Sequence, residues 1–163
     1  MNIVNVDKTL INDASEFASN VFVDYYNDLL DHKQSQYMAN KFLSKQAITN
    51  LIDNGAIFKL VIDNNKIIGI SEYLIKDNRV FLSKLYVLKL MRNKGVGKLM
   101  LNDCIEYTRK HSLNKIFLTV NKYNYPSIEI YKHLGFIIID SVITDIGNNY
   151  VMDDYIMELN ISK

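Results

Sequence analysis

The apolar positions of the chain change period along its length, and those changes predict the elements. From about Leu10 to Leu30, and again from about Ser35 to Ile52, apolar residues recur at intervals of three and four (Phe17, Val21, Tyr25; Tyr37, Phe42), as on an amphipathic helix. Two or three helices are predicted there. Ser44 is the expected N-cap of the last one and Gly55 its stop, since a hydroxyl accepts an orphan amide and glycine tolerates a positive φ. A short alternating run, Ile3 to Val6, predicts a strand ahead of them.

The period then shortens. Ile57 to Ile62, Lys66 to Ile75 and Arg79 to Val87 are β-rich and are separated by Asp63-Asn64-Asn65 and Asp77-Asn78, residues suited to tight hairpins. They predict an antiparallel meander. From Gly95 to His111 the helical period returns, with Val96, Met100, Leu101, Cys104, Ile105, Tyr107 and Thr108 on one side. Lys115 to Val120 reads as a strand and Pro126 to Leu134 as a short helix stopped by Gly135. Two further strands follow, near Phe136 to Ile143 and Tyr150 to Leu159. A helix between the strands ending at Val87 and Val120 implies a right-handed parallel β-α-β crossover. The predicted class is a mixed α/β fold, one domain over residues 1–163, with a mostly antiparallel sheet of six or seven strands flanked by helices.

Composition narrows the functions open to it. Nineteen Lys and Arg stand against eighteen Asp and Glu, so the net charge of +1 gives no field to hold a nucleic acid or an anionic membrane. No run approaches the roughly 20 apolar residues of a membrane span, and the first residues lack a signal-like pattern, so a cytoplasmic location is expected. The single cysteine, Cys104, is expected to be an inert core thiol. His32, His111 and His133 lack metal-ligand spacing, and no metal is expected.

The stretch with chemical content is Leu85-Tyr86-Val87-Leu88-Lys89-Leu90-Met91-Arg92-Asn93-Lys94-Gly95-Val96-Gly97-Lys98-Leu99. A strand, a loop with two glycines and a helix turn backbone amides and the positive end of the helix dipole toward one point, a cradle for phosphate oxygens. A Walker loop would need Gly at 92 and Ser or Thr at 99, where Arg92 and Leu99 stand. A dinucleotide fingerprint would need a small residue at 100, where Met100 stands.

What remains is Arg-x-x-Gly-x-Gly between strand and helix, followed after the next strand by Asn124, Ser127, Tyr131, Gly135 and Phe136. In that pattern the chain resembles the GNAT superfamily of acyl-CoA-dependent N-acetyltransferases. Its ending, Asp145 to Glu158, with Tyr86-Val87 before the loop, looks like the branch containing spermine and spermidine acetyltransferases.

The resemblance implies acetyl-coenzyme A as cosubstrate and a primary amine as acceptor, a polyamine or other small amine foremost. It implies that the backbone of Leu85, Tyr86 and Val87 pairs with the pantetheine arm and that Arg92, Asn93, Lys94, Gly95, Val96, Gly97 and Lys98 hold the pyrophosphate. Asn124, Ser127 and Lys132 would line the coenzyme's path, and Tyr131 would sit by its sulfur as general acid. Homodimers are common among similar proteins. A thioester is already activated, so a neutral amine can attack it directly, but an alkylammonium of pKa about 10.4 is only about 0.04% neutral at pH 7, a cost of about 4.6 kcal/mol. A proton acceptor is therefore expected.

Many relatives of the polyamine type carry acidic residues on the strand before the loop, and Val80-Phe81-Leu82-Ser83-Lys84-Leu85 has none. Glu72 on the preceding strand is the candidate base, against the alternatives of a water path and of a Glu72 that faces solvent from an edge strand. Asp153 and Asp154 could hold a polyamine, although neighbours on a strand face opposite ways. Phe17, Tyr25, Tyr26 and Tyr37 read as core packing or as a substrate wall. Two other functions stay open: an O-acyltransferase, and a coenzyme-A-binding sensor without turnover.

Overall fold

A computed structural model of the chain describes residues 1–162. In chain order the elements are β1 (Asn2–Asn5), α1 (Ile11–Tyr26), α2 (His32–Phe42), α3 (Lys45–Asp53), β2 (Ile57–Asp63), β3 (Lys66–Lys76), β4 (Arg79–Val87), α4 (Val96–Lys110), β5 (Lys115–Asn121), α5 (Tyr125–His133), β6 (Ile137–Gly147) and β7 (Tyr150–Asn160). A short 3-10 helix, Lys89–Met91, precedes α4. The strands are ordered β1-β2-β3-β4-β5-β7-β6. β4 and β5 run parallel, and the other pairs whose register is defined are antiparallel. The expected mixed, mostly antiparallel sheet with one parallel crossover is therefore present.

The local reasons are those expected from the residues. Ser44 caps α3 by accepting the Ala47 amide at 3.1 Å, and Gly55 takes a φ of +94° behind it. Both hairpins turn on residues with positive φ: Asn64 and Asn65 between β2 and β3, Asp77 and Asn78 between β3 and β4. The last hairpin turns on Gly147, Asn148 and Asn149, and β6 extends four residues past its expected end at Ile143. The sequence obscured that length because register shifts at Ile138/Asp140 and Asp145/Gly147 break the alternation.

The chain forms two compact units. The first comprises Met1–Leu74 and Ser83–Cys104. Its core includes Val61, Ile68, Val96 and Met100, with Leu85, Val87 and Met91 packed against them. Gly69 of β3 faces α4 so closely that a Cβ there would lie 3.0 Å from Val96 and 3.2 Å from Met100. Tyr73, almost fully buried, donates its hydroxyl to Asp103 of α4 at 2.5 Å.

The second unit comprises Ile75–Leu82 and Ile105–Lys163. Antiparallel pairing of β5 with β7 sets Asn121 opposite Asp154, Thr119 opposite Ile156 and Phe117 opposite Glu158. These six share one face of the sheet, because side chains alternate along each strand. The other face carries Ile116, Leu118, Val120, Tyr155, Met157 and Leu159, and α5 ends over it, where Gly135 lies against Leu159. On the first face Phe81 stacks on Phe117 at 4.8 Å, and Arg79 covers the same ring and binds Glu158 at 2.9 Å. Burial raises the Glu158 carboxyl, but hydrogen bonds from Arg79 and Lys115 outweigh it and hold it below the usual range.

Candidate functional site

In the first unit β4 ends at Val87, and the Leu88 amide binds the Ile68 carbonyl of β3 at 2.9 Å. The chain then bends through Lys89–Met91 into the glycine loop. Asn93 and Gly95 take φ of +60° and +83°, and the Gly95 carbonyl starts α4 by accepting the Leu99 amide at 2.9 Å. The first amides of α4 have no carbonyl one turn back, so this end presents donors and the positive end of the dipole.

Arg92 does not project from the loop. Its Nε donates to the Val87 carbonyl at 3.3 Å, and its guanidinium lies 5.0 Å from the Tyr25 ring. It braces the loop against the strand it leaves. Lys94 and Lys98 are exposed, and neither makes an ion pair among the described residues. Gly97 is in ordinary helical conformation, and a Cβ there would meet Leu85 at 3.7 Å and Val87 at 3.9 Å, ordinary contacts. The fold does not require glycine at 97, so its bareness leaves the surface of the loop open for a ligand.

Glu72 is not on an edge strand and does not face solvent: β3 lies between β2 and β4, and the residue is 1% exposed. Its carboxylate is bound by the ammonium of Lys84, itself 8% exposed, which lies 5.6 Å from the Phe58 ring. Lys84 was legible as the one cation in the apolar run Val80 to Val87, but its partner was not. Phe22, Tyr25, Tyr26 and Tyr86 pack their rings at 4.5 to 6.0 Å, so Tyr25 and Tyr26 belong to an aromatic cluster with the end of β4.

In the second unit Asn124 caps α5, its Oδ1 accepting the Ser127 amide at 3.4 Å. Tyr131 is half-buried, its ring edge-on to Phe136 at 5.6 Å. Lys132 lies at the surface, paired with Glu129 at 3.0 Å. Asp153 pairs with Lys122 at 2.8 Å, and that hydrogen bond is the main reason the ammonium is held above its usual range. Asp154, on the opposite face, is 7% exposed and makes no hydrogen bond or ion pair among the described residues. Burial, reinforced by the charge of Asp153 and opposed by Lys122, pushes its carboxyl up to about 6.

Residues 16–136 match the model of the Acetyltransferase (GNAT) family. The chain belongs to this family. Acetyl-coenzyme A is accordingly the cosubstrate of this acetyltransferase. No curated protein matches the sequence. Among solved structures, the chain is similar to the PaiA N-acetyltransferase of Thermoplasma acidophilum in complex with coenzyme A (22% identity, TM-score 0.82, covering 98% of this chain and 99% of that one). It is also similar to an acetyltransferase of the GNAT family from Staphylococcus aureus Mu50 (21%, TM-score 0.75, 99% of each chain). A third is the ribosomal-protein-S18-alanine N-acetyltransferase of Escherichia coli (16%, TM-score 0.70, 99% of this chain and 94% of that one). These likenesses establish a common fold. Within the acetyltransferase, the described residues include no helix long and apolar enough to cross a membrane.

Proposed function

We propose that the 163-residue chain is one N-acetyltransferase domain that acts in the cytoplasm and transfers the acetyl group of acetyl-coenzyme A directly to a primary amine. A polyamine or another small amine is the favoured acceptor. The observation that carries this reading is the loop from Arg92 to Lys98. Arg92 braces it, Gly95 bends it, Gly97 is bare without the fold requiring it, and its Lys94 and Lys98 make no ion pair among the described residues. Such a loop suits a diphosphate. The coenzyme A in the Thermoplasma structure and the spermine/spermidine-like ending support the same reading.

In this mechanism the backbone of Leu85 to Val87 holds the pantetheine arm, and Asn124, Ser127 and Lys132 guide the coenzyme. The amine nitrogen attacks the thioester carbonyl, the C–S bond breaks, and the Tyr131 hydroxyl protonates the leaving thiolate. Glu72, the candidate base from the sequence, is already satisfied by Lys84. That pairing, with no acid on β4, favours as second reading a coenzyme-A-binding module without turnover.

A free-thiol assay with acetyl-coenzyme A and a panel of spermidine, spermine, lysine, aminoglycosides and short peptides tests the reading, with a coenzyme A thermal shift beside it. Turnover with one class identifies the acceptor. A shift without turnover favours the binding module, and no shift sinks both readings. Gly97→Val is expected to abolish the shift while the protein stays folded by circular dichroism; retained affinity removes the loop from the site. Tyr131→Phe is expected to lower kcat about 10- to 1,000-fold with affinity for acetyl-coenzyme A unchanged, and unchanged turnover removes the general acid.

A further inference from the structure

The geometry points to Asp154 as the carboxylate that receives the acceptor's ammonium and takes its proton. This rests on the proposed function, because it assigns the amine end of that reaction. Asp154 lies in the middle of β7, held by ladders on both sides: Asn121 of β5 faces it across one and Val142 of β6 across the other. It is therefore a rigidly placed group, not a loop acid.

Strand alternation explains why no cation among the described residues satisfies it. Lys122, whose charge acts on it through space, is committed to the opposite face. There it binds the Asp153 carboxylate, sits 5.5 Å from the Tyr155 ring, and its own amide binds the Asp153 carbonyl at 3.1 Å. The other charged groups on Asp154's own face are Asp140 of β6, which is exposed, and Glu158 with the two cations that hold it, Arg79 and Lys115. A largely buried carboxylate with no partner among the described residues is costly to ionise, and a cation from outside the protein would offset that cost.

An alkylammonium is the cation the proposed reaction brings, and its proton must leave before the nitrogen can attack. With an acceptor titrating near 6, the group is ionised at neutral pH yet basic enough to take a proton, the compromise general-base catalysis favours. The balance is complete without another reactant. The ammonium gives one proton to Asp154, which releases it to solvent. The neutral nitrogen forms the C–N bond as the C–S bond breaks, and the nitrogen's second proton replaces the one Tyr131 gives to the thiolate.

The test compares wild type with Asp154→Asn, using whichever amine of the panel turns over fastest. At pH 7, kcat/KM is expected to fall about 100-fold or more, with the coenzyme A thermal shift preserved. The wild-type profile is expected to lose activity below about pH 6. The variant should lack that acid limb and instead gain about tenfold per pH unit from 7 to 9.5, as the free amine itself becomes available. A residue with only a structural role would not produce that slope. Activity within threefold of wild type with the acid limb intact overturns the assignment and leaves the proposed function standing. A wild type that turns over no amine overturns both. A variant that folds less stably than wild type also counts against the assignment, since removing a largely buried charge with no partner among the described residues should stabilise the fold. Asp154→Glu, which keeps the carboxylate, is expected to retain the limb at a shifted pH; a Glu variant without the limb contradicts it.

Discussion

Among the described residues, the two compact units each bury one carboxylate side chain on a central strand, and they treat it in opposite ways. Glu72 of β3 meets Lys84 on the neighbouring β4 against the Phe58 ring, so its charge is satisfied within the protein. Asp154 of β7 has Asn121 and Val142 for neighbours, and Lys122, which acts on it through space, is bound to Asp153 on the other face. The difference teaches that burial alone does not define a functional acid. A paired carboxylate belongs to the architecture, and an unpaired one is either a defect or a site awaiting a partner.

Breaking each arrangement should show this difference as changes of opposite sign. The largest expected effect is at the satisfied pair. Glu72→Gln leaves the Lys84 ammonium buried without compensation and is expected to cost about 3 to 5 kcal/mol, read as a lower urea midpoint. Adding Lys84→Met should recover most of that loss. If Glu72→Gln is neutral, the pair is not structural and Glu72 regains its claim as base.

Next in size is Asp154→Asn. A carboxyl raised from 3.8 to about 6 in the fold binds protons the unfolded chain has already released, so stability declines as pH rises through that window. Above pH 6 the amide should therefore stabilise the protein by up to about 3 kcal/mol, and the gain should vanish below about pH 4. Melting curves at pH 4 and 7.5 check it. Higher stability together with lost turnover is the signature of a site that sacrifices stability for function.

The smallest effect sharpens the comparison further. Lys122 lowers the Asp154 pKa through space. Lys122→Met should accordingly move the acid limb of the pH profile upward by a few tenths of a unit with the fold intact. A limb that stays put would mean that it belongs to another group.

The fold was readable because its signals are local. Ser44, Gly55, the Asn and Asp turns and the three-and-four spacing of α4 each act within a few residues, and family resemblance carried by Arg92, Gly95, Gly97 and Tyr131 supplied the rest. The loop was legible for the same reason, since its glycines, strand and helix are contiguous. Glu72 shows the limit. It could be read as base or as solvent-facing acid because its partner is twelve residues away on another strand.

The sequence by itself determined which elements form, the order in which they occur and the family to which the chain belongs, because periodicity, caps and contiguous motifs are properties of neighbours along the chain. Only the tertiary structure decided which charges are satisfied. Whether Lys84 reaches Glu72 and whether Lys122 turns toward Asp153 or Asp154 depend on strand register and face. A shift of one residue in pairing would reverse both.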